Sequence, residues 1–166
     1  MSEPSASKVN KFSHLRPQDT QFVDNGLRDF FLYKDLGIAE ATGGRVLAQL
    51  VTAHVAPEQG TGWHRHEADF HIVIMLKGWA RFMYEDKETL VAAGDTVHQR
   101  PGIRHYLFDY SPDMEYLEVV GPADFKTIPV EPVCAIPAVT PWKTTTAAGS
   151  ASASVATRVP ATLSHS

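Results

Sequence analysis

Cysteine is almost absent from this sequence. The single residue, Cys134, cannot build an internal disulfide framework, so the simplest expectation is a cytoplasmic protein. Long apolar runs are missing too. None reaches the roughly 18 residues that a membrane span needs, and the opening MSEPSASKVNKF has no apolar signal-peptide core. Neither sign of charge dominates: the formal net charge is −4, and the 15 Lys and Arg residues are scattered. That balance gives no reason to expect nucleic acid or an anionic membrane as partner. There is no GxSxG, no phosphate-cradling glycine loop and no dinucleotide fingerprint. No convincing amphipathic helix and no internal repeat can be read. Cys134 has no local basic partner, which argues against nucleophilic catalysis.

What is present is a chain of 166 residues, 43% of them apolar, enough for one domain with a real core. Many short β-type runs are separated by Gly, Pro and Asp turns. GLRDFFLYKDLG, RVLAQLVTAHVAP and HIVIMLKG read as strands, and GIAEATGG as a turn. WARFMYEDKETLVAAGD reads as a hairpin turning near Glu85 to Lys87. DTVHQRPGIRHYLFDYSPD is strand, tight turn at Pro101-Gly102, and strand, and MEYLEVVGP is a last strand. The pattern predicts an antiparallel β barrel or sandwich. Residues 1–22 are expected to form an N-terminal arm, 23–128 the barrel, and 129–166 a Pro-containing segment and low-complexity tail.

The eight histidines stand out against this background, three of them within GWHRHEADFH. His64 and His66 are two apart, which on a strand sends both side chains to one face. Neutral imidazole is a common ligand for Zn, Cu, Fe and Ni. His71 joins that face only if EADF bends the chain. His105 can arrive only through the fold.

These residues resemble the two signature motifs of the cupin family. In the first, His64-Arg65-His66 is followed by four residues, His71, six residues and Gly78. Gly60 and Gly62 both lie closer to His64 than the family's leading glycine. In the second, Gly94-Asp95 begins the motif, Gly102 and His105 fall in place, Asp109 stands where Asn is usual, and Arg100 where Pro is usual. The resemblance covers roughly Arg45 to Val120 and implies an all-β fold, the cupin-type double-stranded β-helix or jelly-roll barrel. It further implies that His64, His66, His71 and His105 ligate one divalent metal ion (Fe, Mn, Zn, Ni or Cu), with His71 replacing the family's usual glutamate. All-histidine sets are known among cupins, in small manganese proteins and in a zinc-dependent polyketide cyclase. Four neutral imidazoles would leave the full charge on the ion, and an octahedral shell would keep two positions open.

Alternation places Val73 and Met75 on the face of His71, Phe82 beside Tyr84, and Leu107 and Asp109 beside His105, opposite Tyr106, Phe108 and Tyr110. With Glu118 as a polar handle on the last strand, Val73, Met75, Phe82, Tyr84, Leu107 and Glu118 are the expected pocket. His98 is a candidate base, and Asp109 a carboxylate that could orient an imidazole. Arg65, between two ligands, should point away from them. His54 reads as structural, and His14 and His165 lie in the tails.

Three functions follow. The first is a metal-dependent dioxygenase, an oxidoreductase acting on a small diketone- or phenol-like compound. The second is a non-redox zinc or nickel lyase, isomerase or cyclase. The third is a small-molecule-binding protein without catalysis. By the same resemblance a homodimer is expected, covering barrel edge strands, in which the N-terminal arm or the segment Ile128 to Pro141 could take part.

Overall fold

The computed structural model describes residues 10–58 and 60–142. Its strands are β1 (Phe31–Asp35), β2 (Leu47–Ala53), β3 (His64–Glu67), β4 (Phe70–Lys77), β5 (Trp79–Tyr84), β6 (Lys87–Ala92), β7 (Thr96–His98), β8 (His105–Tyr110), β9 (Glu115–Gly121) and β10 (Lys126–Pro129). They form two antiparallel sheets of five strands, ordered β1-β2-β9-β4-β7 and β10-β3-β8-β5-β6. The fold is the expected all-β jelly-roll barrel. Helix among the described residues is one 3-10 turn at Pro17–Asp19 and one α turn, α1, at Ile38–Ala41. The latter lies in GIAEATGG, which reads from sequence as a turn. No helix of the described residues is long and apolar enough to cross a membrane.

Two-residue alternation builds the interior. On β4 the buried side chains are His71, Val73 and Met75; on β9 they are Tyr116, Glu118 and Val120. Phe31, Val51, Val73, Met75, Phe82 and Tyr110 belong to one apolar cluster. The EADF segment does bend the chain. β3 belongs to one sheet and β4 to the other, and Ala68-Asp69 carries the crossing. That change of sheet lets His71 face inward despite its odd spacing from His66.

β8 departs from simple alternation. Phe82 pairs with Leu107, whereas the adjacent Arg81 pairs with Asp109, so Phe108 is an extra residue in the ladder. The bulge reverses the parity beyond it. Asp109 turns out beside Arg81, their ion pair measuring 2.9 Å, and Tyr110 turns into the core. The expected grouping of Asp109 with His105, and of Tyr110 with Tyr106, is corrected by this one insertion.

Residues 130–142 run along the outside of the barrel. Val133, Cys134 and Ile136 pack on Trp63, Met83 and Phe108. Arg81 donates to the Ala138 carbonyl at 3.1 Å, and Trp142 donates to the Tyr110 carbonyl at 2.9 Å. The segment expected at a subunit contact thus covers its own barrel wall. At the other end the arm is pinned by Lys11 N to Ala41 O at 2.7 Å and by Lys34 Nζ to Pro17 O at 2.8 Å. Residues 1–9 and the low-complexity stretch from residue 143 onward, with His165, lie outside the described residues.

Asp109 is fully buried and accepts from Arg81 and from Thr140 N at 3.0 Å. Deleting the cation strands a buried carboxylate. Arg81→Ala is therefore expected to cost about 3 kcal/mol, read as a lower urea midpoint at unchanged slope. A loss below about 0.5 kcal/mol, the scale of an ordinary surface substitution, would show that the pair does not hold the strap.

Candidate metal centre

The centre starts from β3. His64 and His66 both turn inward, and β3 meets β8 at the pair His64↔His105. The fold thus sets the distant histidine directly across from the local two. Ligand nitrogens of His64, His66 and His105 all lie within 4.8 Å of one another. The rings of His64 and His105 are 4.2 Å apart, and His66 is 4.9 Å from each.

The other ring nitrogens are anchored. His64 Nδ1 lies 2.8 Å from the Gly62 carbonyl, and His105 Nδ1 lies 2.9 Å from the Ile103 carbonyl. A carbonyl only accepts, so each Nδ1 carries the proton and donates it. Each Nε2 then keeps its lone pair. His66 Nδ1 is held 2.9 Å from the Thr127 hydroxyl on β10. Gly62, at φ 75°, takes the left-handed turn that precedes β3.

Burial pushes the His64 imidazole down to about 4 and His105 down to about 3, with His66 lower still. All three are neutral at physiological pH. Three lone pairs converging in a buried site suit a divalent transition ion, and the oriented Nδ1 groups are the outer contacts that metal-binding histidines need. The residues fit the group.

His71, the fourth predicted ligand, stands beside the three but is not among the nitrogens that lie within 4.8 Å of one another. Its ring is 4.8 Å from that of His66, but Nε2 is bonded to Glu118 Oε1 at 2.7 Å. Its Nδ1 is buried without a hydrogen-bond partner. The register explains the pairing: β9 sets Glu118 across from Val73, one inward step along β4 from His71. Gln49, across from Glu118 on β2, donates to its Oε2 at 2.6 Å. Burial alone would raise the Glu118 carboxyl, but the bonds from His71 and Gln49 hold it below the usual range.

The three histidines, His71 and Glu118 open onto one cavity of about 70 Å³. Of the expected pocket residues, Phe82, Leu107 and Glu118 line it. Val73 and Met75 lie in the core cluster. Tyr84 stacks on Phe82 with its ring 5.8 Å from that of His105, but is not part of the lining. His98 is exposed on β7, which removes it as a base for this cavity. Asp109 serves Arg81 and orients no imidazole. His54 is exposed, and Arg65 pairs with Glu67 at 3.4 Å, outside the cavity.

Sequence reading missed Arg28, Gln49, Gln99 and Phe125, all of which line the cavity. Gln49 is polar within the otherwise apolar LAQLV, a signal that could have marked it. Phe125 and Thr127 lie on or beside β10, a short strand without alternating pattern. Arg28 belongs to the arm side of β1 and carries no local signal.

Residues 51–120 match the family model described as Cupin domain. Among solved structures the fold is similar to KdgF from Halomonas sp., with TM-score 0.56 and 17% identity, covering 68% of this chain and 94% of that one. It is similar to the polyketide cyclase RemF from Streptomyces resistomycificus, with TM-score 0.56 and 17% identity, covering 72% and 86%. It is also similar to an RmlC-like cupin protein from Ralstonia eutropha JMP134, with TM-score 0.53 and 19% identity, covering 69% and 70%. No curated protein matches the sequence. At such identities the likeness speaks for the fold alone.

Proposed function

The chain carries a cupin domain, and on that premise we propose that it is a metal-dependent oxygenase of small enolisable-carbonyl or phenolic compounds. One observation carries the reading. Three neutral imidazoles converge beside an ionised, buried Glu118 in a single cavity.

His64, His66 and His105 are the residues that would hold a divalent ion, of Fe, Mn, Zn, Ni or Cu type. Such an ion would polarise a substrate oxygen and, where redox-active, supply the electron transfer that oxygen chemistry requires. The protein's own groups do the rest. Because the three donors are uncharged, the site favours a substrate that binds as an anion. Glu118 is the carboxylate on the cavity wall placed to accept the acidic proton of the carbonyl or phenolic compound, which coordination to an ion would make more acidic. His71 and Gln49 fix both carboxylate oxygens, so the base is oriented before substrate arrives. Phe82, Leu107 and Phe125 wall off water. The deprotonated compound is electron-rich, which is the form that oxygen attacks.

The same Glu118–His71 pair favours a second reading, a non-redox lyase, isomerase or cyclase. A proton taken at one atom can be returned at another.

An oxygen electrode separates them. Protein loaded in turn with Fe(II), Mn(II) and Cu(II) is offered a panel of small 1,3-diketones and phenols, each with and without a carboxylate. Substrate-dependent oxygen uptake with at least one ion is expected. Absence of uptake with all three overturns the oxygenase. Conversion or solvent deuterium exchange by the zinc- or nickel-loaded protein would then support the second reading. Neither would leave a small-molecule-binding barrel.

A further inference from the structure

Arg28 is a cation placed against this site. It lies just before β1, outside the matched residues 51–120, yet it lines the histidine cavity. Its backbone N donates to the Tyr33 hydroxyl at 3.0 Å, and Tyr33 lines the same cavity. Among the described residues its guanidinium has no hydrogen-bond or ion-pair partner, although Asp29 is its sequence neighbour.

The guanidinium thus stands, without a protein partner, at the wall of a cavity whose histidines suit a second cation. The one nearby carboxylate on the cavity wall, Glu118, is already engaged by His71 and Gln49. The guanidinium is therefore open to an anion that enters the cavity, and its fork matches a carboxylate in shape as well as charge. We propose that Arg28 is a specificity-determining residue that binds the carboxylate of the substrate, so that the substrate class is a small oxo acid rather than a neutral carbonyl compound. This rests on the function proposed above and narrows it. The cavity of about 70 Å³ suits a small compound. Gln99, also on the cavity wall, keeps a buried Oε1 without a partner, an acceptor that a substrate hydroxyl or water would satisfy.

The test uses full-length protein loaded with Co(II), with pyruvate and methyl pyruvate as an anionic and neutral pair. Binding is followed by the cobalt absorption and by calorimetry, and metal content is measured on each sample. Wild type should bind pyruvate at least tenfold more tightly than the ester. Arg28→Gln should remove that preference and leave ester affinity unchanged, and Arg28→Lys should recover part of it. Arg28 is half-exposed and its side chain has no partner, so thermal midpoints should agree among the variants. Equal affinity for acid and ester in wild type, or an undiminished preference in Arg28→Gln, overturns the proposal. The calorimetric comparison is repeated after chelation. There too, loss of the preference in Arg28→Gln supports Arg28 and its persistence rejects it. A protein that never takes up cobalt would instead reject the metal-dependent function.

Discussion

His66→Ala is expected to lower bound metal from near one equivalent per chain to below about a tenth. The readout is elemental analysis of protein purified without a chelating tag and dialysed against a weak chelator. With only three protein ligands in the site, loss of one leaves two imidazoles, too few to hold the ion against a chelator. His66 is the natural choice because its ring is equidistant from the other two, 4.9 Å from each. Thr127→Val keeps the ligand but removes the oxygen that orients Nδ1, and should weaken affinity about 10–100-fold, as loss of such outer contacts does. His71→Ala is the discriminating companion. In the observed arrangement it should retain metal, since His71 is not one of the three converging groups. Loss as deep as in His66→Ala would instead bring back the four-histidine set expected from sequence. Full metal retention by His66→Ala, with an unchanged circular dichroism spectrum, would reject the centre itself.

The parts of the site that could be read in the sequence are those governed by local rules. HxH spacing on a strand needs nothing but alternation, and it placed His64 and His66 together on the inner face. The tight turn at Pro101-Gly102 and the start of β8 were equally visible, so His105 could be named, although only the His64↔His105 register brings it into place. The strands were legible because turn residues punctuate them.

What escaped depends on register between distant segments. One extra residue at Phe108 moves Asp109 from the expected inner face to Arg81, and nothing in HYLFDY announces it. His71 faces inward only because the chain changes sheet between β3 and β4, and its partner comes from β9, forty-seven positions away, and claims Nε2. Val73 and Met75 share the face of His71 yet do not line the cavity, because facing inward is not the same as reaching it. Alternation fixes a side, whereas depth along the barrel axis is set by the stagger of neighbouring strands.

Glu118→Gln should separate holding a metal from using it. The substitution is nearly isosteric, and Glu118 is not one of the three converging groups, so bound metal should stay near one equivalent. Turnover of any compound in the diketone and phenol panel should fall about 10²–10⁴-fold, the usual contribution of a positioned general base. The loss should sit in kcat with KM little changed, since the carboxylate acts on the proton and not on the carbonyl oxygen. The amide that replaces the carboxylate would still accept from one of the two donors now facing it, while its nitrogen meets the other. Some disorder at His71 or Gln49 is therefore expected, and His71→Gln serves as the control for that. If Glu118 is the base and His71 only holds it, His71→Gln should lose less activity than Glu118→Gln. The reverse order would make His71 the group that meets the substrate, through the buried Nδ1 that now has no partner. Activity within about threefold of wild type in both variants would remove the pair from the reaction, since a positioned base is worth far more than that. The three histidines would then be left to work without a protein base.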